Sequence, residues 1–297
     1  MTTGNFANAP FLCPVCHQGL RFGPDMISCS AGHTFACAAG RIPVLLSEGD
    51  FSEVYDRQVQ YFTDESSHYA SDYHLDPWMK KYVDLALGHF GPPAPGATVL
   101  DVGCGSGYMT IELARAGYNV IAADLTPQSV LELSRKAEAL GVGTRVCPVI
   151  CSALDLPIAD NCIDAVVGNA IIEHLPDDHR FVSELARVAK HSAKGLLVAP
   201  VKLKHVWPMF WPINYWHDRK IGHLRRYDKA SYLSLLAANG FTADQVSYSG
   251  HLVKVAGVLL QTLFHTHRWD ERLEELDAAK AHRAYGSSNV IVTFHKA

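Results

Sequence analysis

The sequence predicts an α/β protein in which a doubly wound, seven-stranded and mostly parallel sheet follows a small cysteine-rich module. Three observations support this prediction. From residue 98 onward, nearly all-apolar runs alternate with amphipathic runs, which indicates parallel strands covered on both faces. A glycine-rich loop joins the first of these strands to a helix. Finally, four of the eight cysteines lie within the first forty residues.

The apolar runs define seven strand candidates, at residues 98–102, 120–123, 145–150, 163–167, 195–199, 245–249 and 289–294. The amphipathic runs between them define helix candidates at residues 107–116, 127–140, 178–189 and 229–239. No clean crossover separates the last two strands, so we expect the last strand to run antiparallel.

The composition of the chain limits which class of protein it can belong to. The chain has 297 residues, of which 48% are hydrophobic and 19% charged, as in a folded globular protein with one large domain and one small one. The net charge of -4 gives no general attraction to nucleic acid. The first residues do not resemble a secretory signal, and the longest apolar stretch, residues 255–264, is too short to cross a bilayer. We therefore expect a cytoplasmic protein without a membrane span.

We divide the chain into a zinc-ribbon-like domain at residues 1–48 and a larger domain at residues 49–297, with a boundary near residues 48–51. Apolar residues at helical spacing predict two helices between residues 51 and 89, separated by a polar loop at residues 64–74. We interpret residues 201–227 as an insert or lid, and residues 251–284 as an amphipathic cap or a homodimer face.

The glycine loop is the most informative motif. It reads LDVGCGSG over residues 100–107, directly after a strand and before a helix. A dinucleotide fingerprint would place its third glycine at position 108, which is Tyr108, so the spacing does not fit a pyrophosphate. Bare backbone at Gly103 and Gly105 would let a ligand approach closely, and the following helix start offers unpaired N–H groups.

Two acidic residues suggest what that ligand is. Asp101 precedes the loop and is placed to meet a positively charged ammonium group. Asp124 ends the second strand, where a carboxylate can accept hydrogen bonds from both hydroxyls of a ribose. The pair therefore predicts a pocket for a nucleoside that carries an amino acid.

These motifs resemble the class I S-adenosylmethionine methyltransferases, in particular the group that includes the ubiquinone and menaquinone methyltransferases. The resemblance covers roughly residues 51–297 and includes the glycine loop, Asp124, SALDLPIADNCIDAVV from residue 152, NAIIEHLPD from residue 169 and GHLRRYD from residue 222. It implies a Rossmann-like fold that binds S-adenosylmethionine and releases S-adenosylhomocysteine.

The resemblance also implies which residues surround the methyl donor. They are Asp101, Gly103, Cys104, Gly105, Gly107, Asp124, Leu125, Ser152, Ala153, Leu154 and Asn169. The loop would line the methionine end, Asp124 the ribose, residues 152–154 the adenine, and Asn169 the space beneath the sulfonium. Related proteins commonly carry Asp where this chain has Ser152, so Ser152 or a backbone carbonyl would have to accept from the adenine amino group.

Methyl transfer from a sulfonium is an in-line displacement that depends mainly on alignment, with a general base for the acceptor as an addition. The candidate bases are His174, His217, His223 and Tyr227, all beyond the carboxyl ends of strands. Structural or surface roles are equally compatible with these residues. The insert is rich in aromatic residues at positions 207–216, and we interpret them as walls of an acceptor pocket.

The amino-terminal module has the residues of a structural zinc site. Cys13, Cys16, Cys29 and His33 supply three thiolates and one imidazole, a closed tetrahedral set that would stabilise so small a module. Cys37 or His17 could replace one of these ligands. The spacing resembles the zinc domain of ribosomal RNA guanine methyltransferases, and the GRIPVLL run at residues 40–46 resembles the zinc ribbon of certain methyltransferase activator subunits.

Three functions follow. The first is methylation of a small or lipophilic organic metabolite, with oxygen as the expected acceptor atom. The second is methylation of RNA, with the ribbon recognising the substrate, which the acidic composition disfavours. The third is a protein that keeps the donor pocket without catalysis and acts on a partner.

Overall fold

A computed structural model describes residues 9–23, 26–47, 63, 73–251 and 269–297. Its strands are β1 (Leu20–Phe22), β2 (Ile27–Cys29), β3 (Thr34–Phe35), β4 (Cys37–Ala38), β5 (Ile42–Leu45), β6 (Thr98–Val102), β7 (Asn119–Asp124), β8 (Val146–Cys151), β9 (Ile163–Asn169), β10 (Ala189–Pro200), β11 (Phe241–Ser249) and β12 (Asn289–Lys296). Its α-helices are α1 (Pro77–Phe90), α2 (Tyr108–Arg115), α3 (Pro127–Ala139), α4 (Asp178–Val188), α5 (Trp211–Ile221), α6 (Lys229–Ala238) and α7 (Asp270–Ala278).

Several sequence-based predictions fall partly or wholly outside the described residues. These are the domain boundary at residues 48–51, the first of the two helices expected after residue 51, most of the polar loop at 64–74, the apolar stretch at 255–264 and much of the span 251–284. No helix in the described ranges is both long enough and apolar enough to cross a bilayer.

The seven predicted strands form one sheet in the order β8-β7-β6-β9-β10-β12-β11. The pairs from β8 to β10 are parallel, and β12 pairs antiparallel with both β10 and β11. The doubly wound fold and the antiparallel last strand are therefore confirmed. Strand β10 begins six residues earlier than predicted and β11 four residues earlier, because edge and end residues of these strands are more polar than their centres.

The number of strands differs from the prediction, since the sheet has nine strands rather than seven. Strand β5 of the amino-terminal module pairs parallel with β8, at Val44 opposite Ile150 and Leu45 opposite Cys151, and β4 pairs with β5. β8 would otherwise leave its backbone groups unpaired at the sheet edge, and β5 covers that edge. Sequence patterning could not reveal this pairing, because it joins segments about one hundred residues apart.

The module also shares the core of the larger domain. Phe11, Ile27 and Leu45 belong to the same buried apolar cluster as strands β8 and β9. The backbone of residues 10–12 exchanges hydrogen bonds with residues 157–159. The strands β1, β2 and β3 of the module form a separate antiparallel sheet. Two of the predicted zinc ligands belong to it: Cys29 ends β2, and His33 directly precedes β3.

The packing between β10 and β12 can be tested by mutation. Gly195 in β10 lies opposite Phe294 in β12, and a Cβ added at Gly195 would overlap the Phe294 ring. The Phe294 side chain is fully buried, so the ring has little room to move.

We therefore expect Gly195→Ala to lower the free energy of unfolding by about 1–3 kcal/mol through overpacking. Urea unfolding followed by circular dichroism measures the effect. Gly88→Ala in α1 is the matched control, because Gly88 is exposed with open space at its Cβ, and alanine there should be neutral or stabilising by about 0.5–1 kcal/mol. Equal stability of the two variants would contradict the packing described for β10 and β12.

Candidate active site

A cavity of about 370 Å³ lies beyond the carboxyl ends of β6, β7 and β9. Open parallel sheets bind ligands in this position because the strand order reverses direction there. Many of the residues predicted to surround a donor line the cavity, namely Asp101, Gly103, Cys104, Gly105, Asp124, Leu125, Ala153 and Asn169. The cavity is therefore built from the motifs that the sequence singled out.

Each of the three loop positions is glycine for a different structural reason. Gly105 has a φ of +49° and open space where a Cβ would lie, so this position leaves room for a ligand. At Gly103 a Cβ would meet Ile171, and at Gly107 it would overlap Leu133. The missing side chain at Gly103 thus makes room for Ile171, while the residue itself still lines the cavity.

Asp124 fastens the loop to the end of β7. One carboxylate oxygen accepts a hydrogen bond from the Gly105 N–H at 2.9 Å, and the other accepts from the Thr126 N–H at 2.8 Å. Burial raises the pKa of Asp124. Each carboxylate oxygen has a second lone pair, so Asp124 can hold the loop and still accept from hydroxyls of a ligand in the cavity.

Asp101 is the most buried carboxyl of the cavity, with 2% of its surface exposed. Burial raises its pKa to about 7, the charge of Asp124 adds to the rise, and a 2.6 Å hydrogen bond from the Thr110 hydroxyl opposes it. Asp101 is consequently close to half-protonated near neutral pH. A cationic ligand group beside it would favour the ionised form.

Sequence reasoning missed the wall opposite the loop. Trp78 and Met79, at the start of α1, line the cavity together with Tyr108. The Asn169 side chain at the end of β9 donates to the Tyr108 hydroxyl at 2.8 Å, and Trp78 packs edge-on against the Tyr108 ring. Tyr108 could have been suspected because it follows the loop directly. Nothing in the local sequence connects α1 to this site.

Three of the predicted donor residues lie outside the cavity lining of the described chain: Gly107, Ser152 and Leu154. Gly107 precedes α2 in a left-handed conformation and packs against Leu133. The buried Ser152 hydroxyl accepts from the Leu154 N–H at 3.2 Å, which shapes the turn after β8. Of the predicted adenine segment, Ala153 is the residue that reaches the cavity.

The predicted histidines form a cluster at the edge of the cavity. His174 lines the cavity, and its ring packs edge-on against His223 with 4.8 Å between ring centroids. Burial lowers the pKa of His174 to about 3, with a further lowering from His223. His174 is therefore a neutral imidazole at pH 7.

Charged residues hold His223 in place. Asp218 lies 2.8 Å from the His223 Nδ1, and Arg226 donates to both oxygens of Asp218. Burial would raise the pKa of Asp218, but these Arg226 hydrogen bonds outweigh it and the pKa is lowered. Burial lowers the pKa of His223 in spite of Asp218. The His223 Nε2 lies 3.7 Å from Glu173, whose pKa burial raises to about 8.

The other two candidate bases lie further from the cavity. His217 is exposed and packs against His223. The Tyr227 hydroxyl donates to Asp178 at 2.6 Å, and its ring stacks on Tyr232 in the core. Neither residue lines the cavity.

The structure differs from our interpretation of the aromatic insert. Trp207, Trp211, Tyr215 and Trp216 are between 38% and 63% exposed, and none of the insert aromatics lines the cavity in the described chain. For Trp211, Tyr215 and Trp216 the reason is that residues 211–221 form helix α5, which has no buried residue and so presents these rings at the surface. Periodicity over so short an insert does not show which face packs.

A second cluster lies in the amino-terminal module. The ligand atoms of Cys13, Cys16, Cys29 and His33 all lie within 4.8 Å of one another. The Sγ atoms of Cys16 and Cys29 are 3.6 Å apart, and the His33 Nδ1 lies 3.6 Å from the Cys13 Sγ and 3.4 Å from the Cys29 Sγ. The alternatives Cys37 and His17 do not belong to this cluster.

Comparison with known proteins agrees with the resemblance seen in the sequence motifs. Residues 100–197 match the family model described as a methyltransferase domain. A probable S-adenosylmethionine-dependent methyltransferase of Mycobacterium tuberculosis is 29% identical over 144 residues, which are 48% of this chain and 50% of that protein. A ubiquinone biosynthesis O-methyltransferase of Rhizobium etli is 27% identical over 159 residues, 49% of this chain and 63% of that protein.

The chain thus spans about half the length of the first of these relatives. Among solved structures, the geranyl diphosphate C-methyltransferase from Streptomyces coelicolor superposes with a TM-score of 0.62 at 17% identity, over 83% of this chain and 99% of that one. This likeness shows a shared fold. Together with the glycine loop and its cavity, these matches support the assignment of residues 100–197 to a class I S-adenosylmethionine-dependent methyltransferase domain.

Proposed function

We propose that this chain transfers the methyl group of S-adenosylmethionine to a small organic acceptor, with oxygen as the acceptor atom. The observation that carries the proposal is the cavity, in which one buried carboxyl, one loop-bound carboxylate and bare backbone at Gly105 lie together. Its size of about 370 Å³ suits one nucleoside-sized ligand.

The residues present fit the donor. Asp101 is available to the amino-acid ammonium, Asp124 to the ribose hydroxyls, and Leu125 and Ala153 offer apolar surface to the adenine. The donor when bound supplies a methyl group on a positively charged sulfur. The protein then has to hold an acceptor in line with that carbon and exclude water, because alignment supplies most of the acceleration.

Groups that could meet the acceptor lie along the edge from Asn169 to Leu175. Ile171 and Leu175 contribute apolar surface there, and of the four candidate bases His174 is the one that lines the cavity. We therefore retain His174 as the residue that contacts the acceptor, with His223 behind it. An apolar wall with one polar group favours an organic molecule over a phosphodiester chain, and the net charge of -4 agrees with that choice.

A labelled-donor experiment tests the function. Purified protein is incubated with S-adenosylmethionine carrying a labelled methyl group, together with separate metabolite and RNA fractions. We expect label in the metabolite fraction and none in RNA. Asp124→Asn is the control, because losing the ribose-binding charge should lower labelling at least tenfold.

Label in RNA would instead favour the ribbon-directed RNA alternative and overturn the proposal. Label in neither fraction, with the donor still bound by calorimetry, would favour a protein that binds the donor for another purpose.

The buried Asp101 predicts how donor affinity depends on pH. Its pKa lies near 7, so the carboxyl gains a proton as the pH falls below that value and loses the charge that would attract the donor ammonium. Donor affinity should then fall by up to about tenfold per pH unit below pH 7 and level off above it.

Calorimetry between pH 5.5 and pH 8.5 measures this dependence. Asp101→Asn keeps an acceptor for the Thr110 hydroxyl but cannot ionise, so its affinity should be weak and nearly independent of pH. Asp84→Asn, at an exposed position of helix α1, is the control and should behave as the wild type. The same slope in Asp101→Asn as in the wild type would assign the pH dependence to another group.

We also propose that the cysteine cluster of the module binds one structural Zn²⁺ ion. The separations of 3.4–3.6 Å between ligand atoms support this. A tetrahedral site with Zn–S near 2.3 Å and Zn–N near 2.0–2.1 Å requires S–S and S–N separations of about 3.8 and 3.5 Å. Four protein ligands close the site, so the role is structural.

Cys29→Ser should reduce bound zinc by one ion per chain and lower thermal stability, because the module packs on the sheet edge through β5. Metal analysis by mass spectrometry and a thermal melt measure both effects. Cys37→Ser is the matched control, since Cys37 lies in the same module but outside the cluster. Equal loss of zinc in the two variants would argue against the assigned ligand set.

A further inference from the structure

A second candidate metal site lies at the edge of the cavity from Asn169 to Leu175, which we call the acceptor edge. We infer that Glu173, His174 and His223 bind a divalent first-row transition metal ion next to the methyl donor. Glu173 and His174 belong to the short 3₁₀ turn after β9, and His223 lies just after helix α5. The fold therefore brings together two segments that are about fifty residues apart.

The geometry of the three side chains suits a metal ion. One ligand atom from each residue lies within 4.8 Å of the other two, and the His223 Nε2 lies 3.7 Å from a Glu173 oxygen. Two imidazoles and one carboxylate are a common ligand set for such ions, and they leave coordination positions open for other molecules.

Glu173 provides the second, independent observation. Its side chain is 1% exposed, and its Oε2 atom is buried without a hydrogen-bond partner among the residues that the structure describes. A buried carboxylate oxygen without a partner is costly unless a proton, a water or a cation satisfies it. The imidazoles of His174 and His223 lie beside it and can supply lone pairs to a cation.

The surroundings of both histidines match those of metal ligands. Metal-binding histidines donate their second ring N–H to a carboxylate or to the backbone, which fixes the ring and its tautomer. Asp218 accepts from the His223 Nδ1, so the Nε2 toward Glu173 is the nitrogen left to bind an ion. His174 hydrogen-bonds with the backbone of residues 221 and 222.

The nearest cation does not compete with a bound ion. Arg226 faces this cluster, but its guanidinium donates to both oxygens of Asp218 at 2.7 Å and to Asn214 at 3.0 Å. Its charge is thus matched by Asp218. A metal ion bound at Glu173 would displace the carboxyl proton, and the resulting negative charge would be available to the ion. The exposed His217 lies on the outer side of His223 and is not required as a ligand.

The position of the site gives the ion a role in the proposed function, on which this role rests. Because His174 also lines the cavity, an ion here lies next to the donor and can bind an acceptor hydroxyl. A bound cation lowers the pKa of that hydroxyl, whose proton leaves to water. The oxygen then forms its bond to the methyl carbon, the carbon–sulfur bond breaks, and the electron pair of that bond stays on sulfur.

Cobalt titration of the full chain, freed of metal by a chelator, tests the site. The ribbon and this site differ in colour, because Co²⁺ bound to thiolates shows strong charge-transfer absorption and Co²⁺ bound to nitrogen and oxygen shows only weak bands. We expect two Co²⁺ ions per chain in the wild type. Charge-transfer absorption should saturate at one ion.

Glu173→Gln should bind one Co²⁺ fewer, or bind the second ion at least tenfold more weakly, with charge-transfer absorption unchanged. His223→Ala should behave in the same way, whereas His179→Ala, in the exposed part of α4, should keep both ions. Binding of S-adenosylhomocysteine, measured by calorimetry, is the control that checks whether each variant is folded. Only one ion in the wild type, or two ions in Glu173→Gln, would overturn the inference.

These readouts do not depend on catalysis, so they separate the metal site from the proposed function. Co²⁺ binding that Glu173→Gln abolishes, combined with no methyl transfer to any acceptor, would support the site and contradict the transferase proposal. Methyl transfer by chelator-treated protein that has lost the second ion would support the transferase and remove the ion's role in it.

Discussion

The closure of the glycine loop against the strand ends is the interaction on which the site depends. The N–H groups of Gly103 and Cys104 donate to the Ala123 carbonyl, and the Gly105 N–H donates to Asp124. These bonds tie the loop after β6 to the end of β7, so two neighbouring strands present one continuous backbone surface. In this arrangement Gly105 keeps open space at its Cβ position, on the side of the cavity that it lines.

The polar residues around the cavity are few and individually held. Thr110 fixes Asp101, Tyr108 fixes Asn169, and the loop fixes Asp124. A site that depends on alignment gains from such restraint, because side chains that are already fixed lose less entropy when a ligand binds. The same principle applies at the acceptor edge, where Arg226 holds Asp218 and Asp218 holds His223.

The amino-terminal module is part of the sheet rather than a separate appendage. Its strand β5 lies beside β8, whose far end leads into the turn at residues 152–154. The module and the turn at residues 152–154 are thus joined through one strand.

The sequence by itself determined the parts that depend on local order along the chain. The strands, the helices after them, the glycine loop and Asp124 were predictable because apolar period and turn residues are local properties. The four residues of the cysteine cluster were predictable from their spacing for the same reason. Most of the predicted donor residues indeed line the cavity.

Tertiary structure alone decided which distant segments meet. Trp78 lines the cavity beside the glycine loop, β5 pairs with β8, and Glu173 lies beside His223. In each case the two segments are far apart in the sequence, and no local sequence pattern indicates that they meet. It also decided which face of an element is buried, so the aromatic residues of α5 lie at the surface and Ile171 fills the space at Gly103. Burial and contact depend on the whole packed chain, and a local pattern does not specify them.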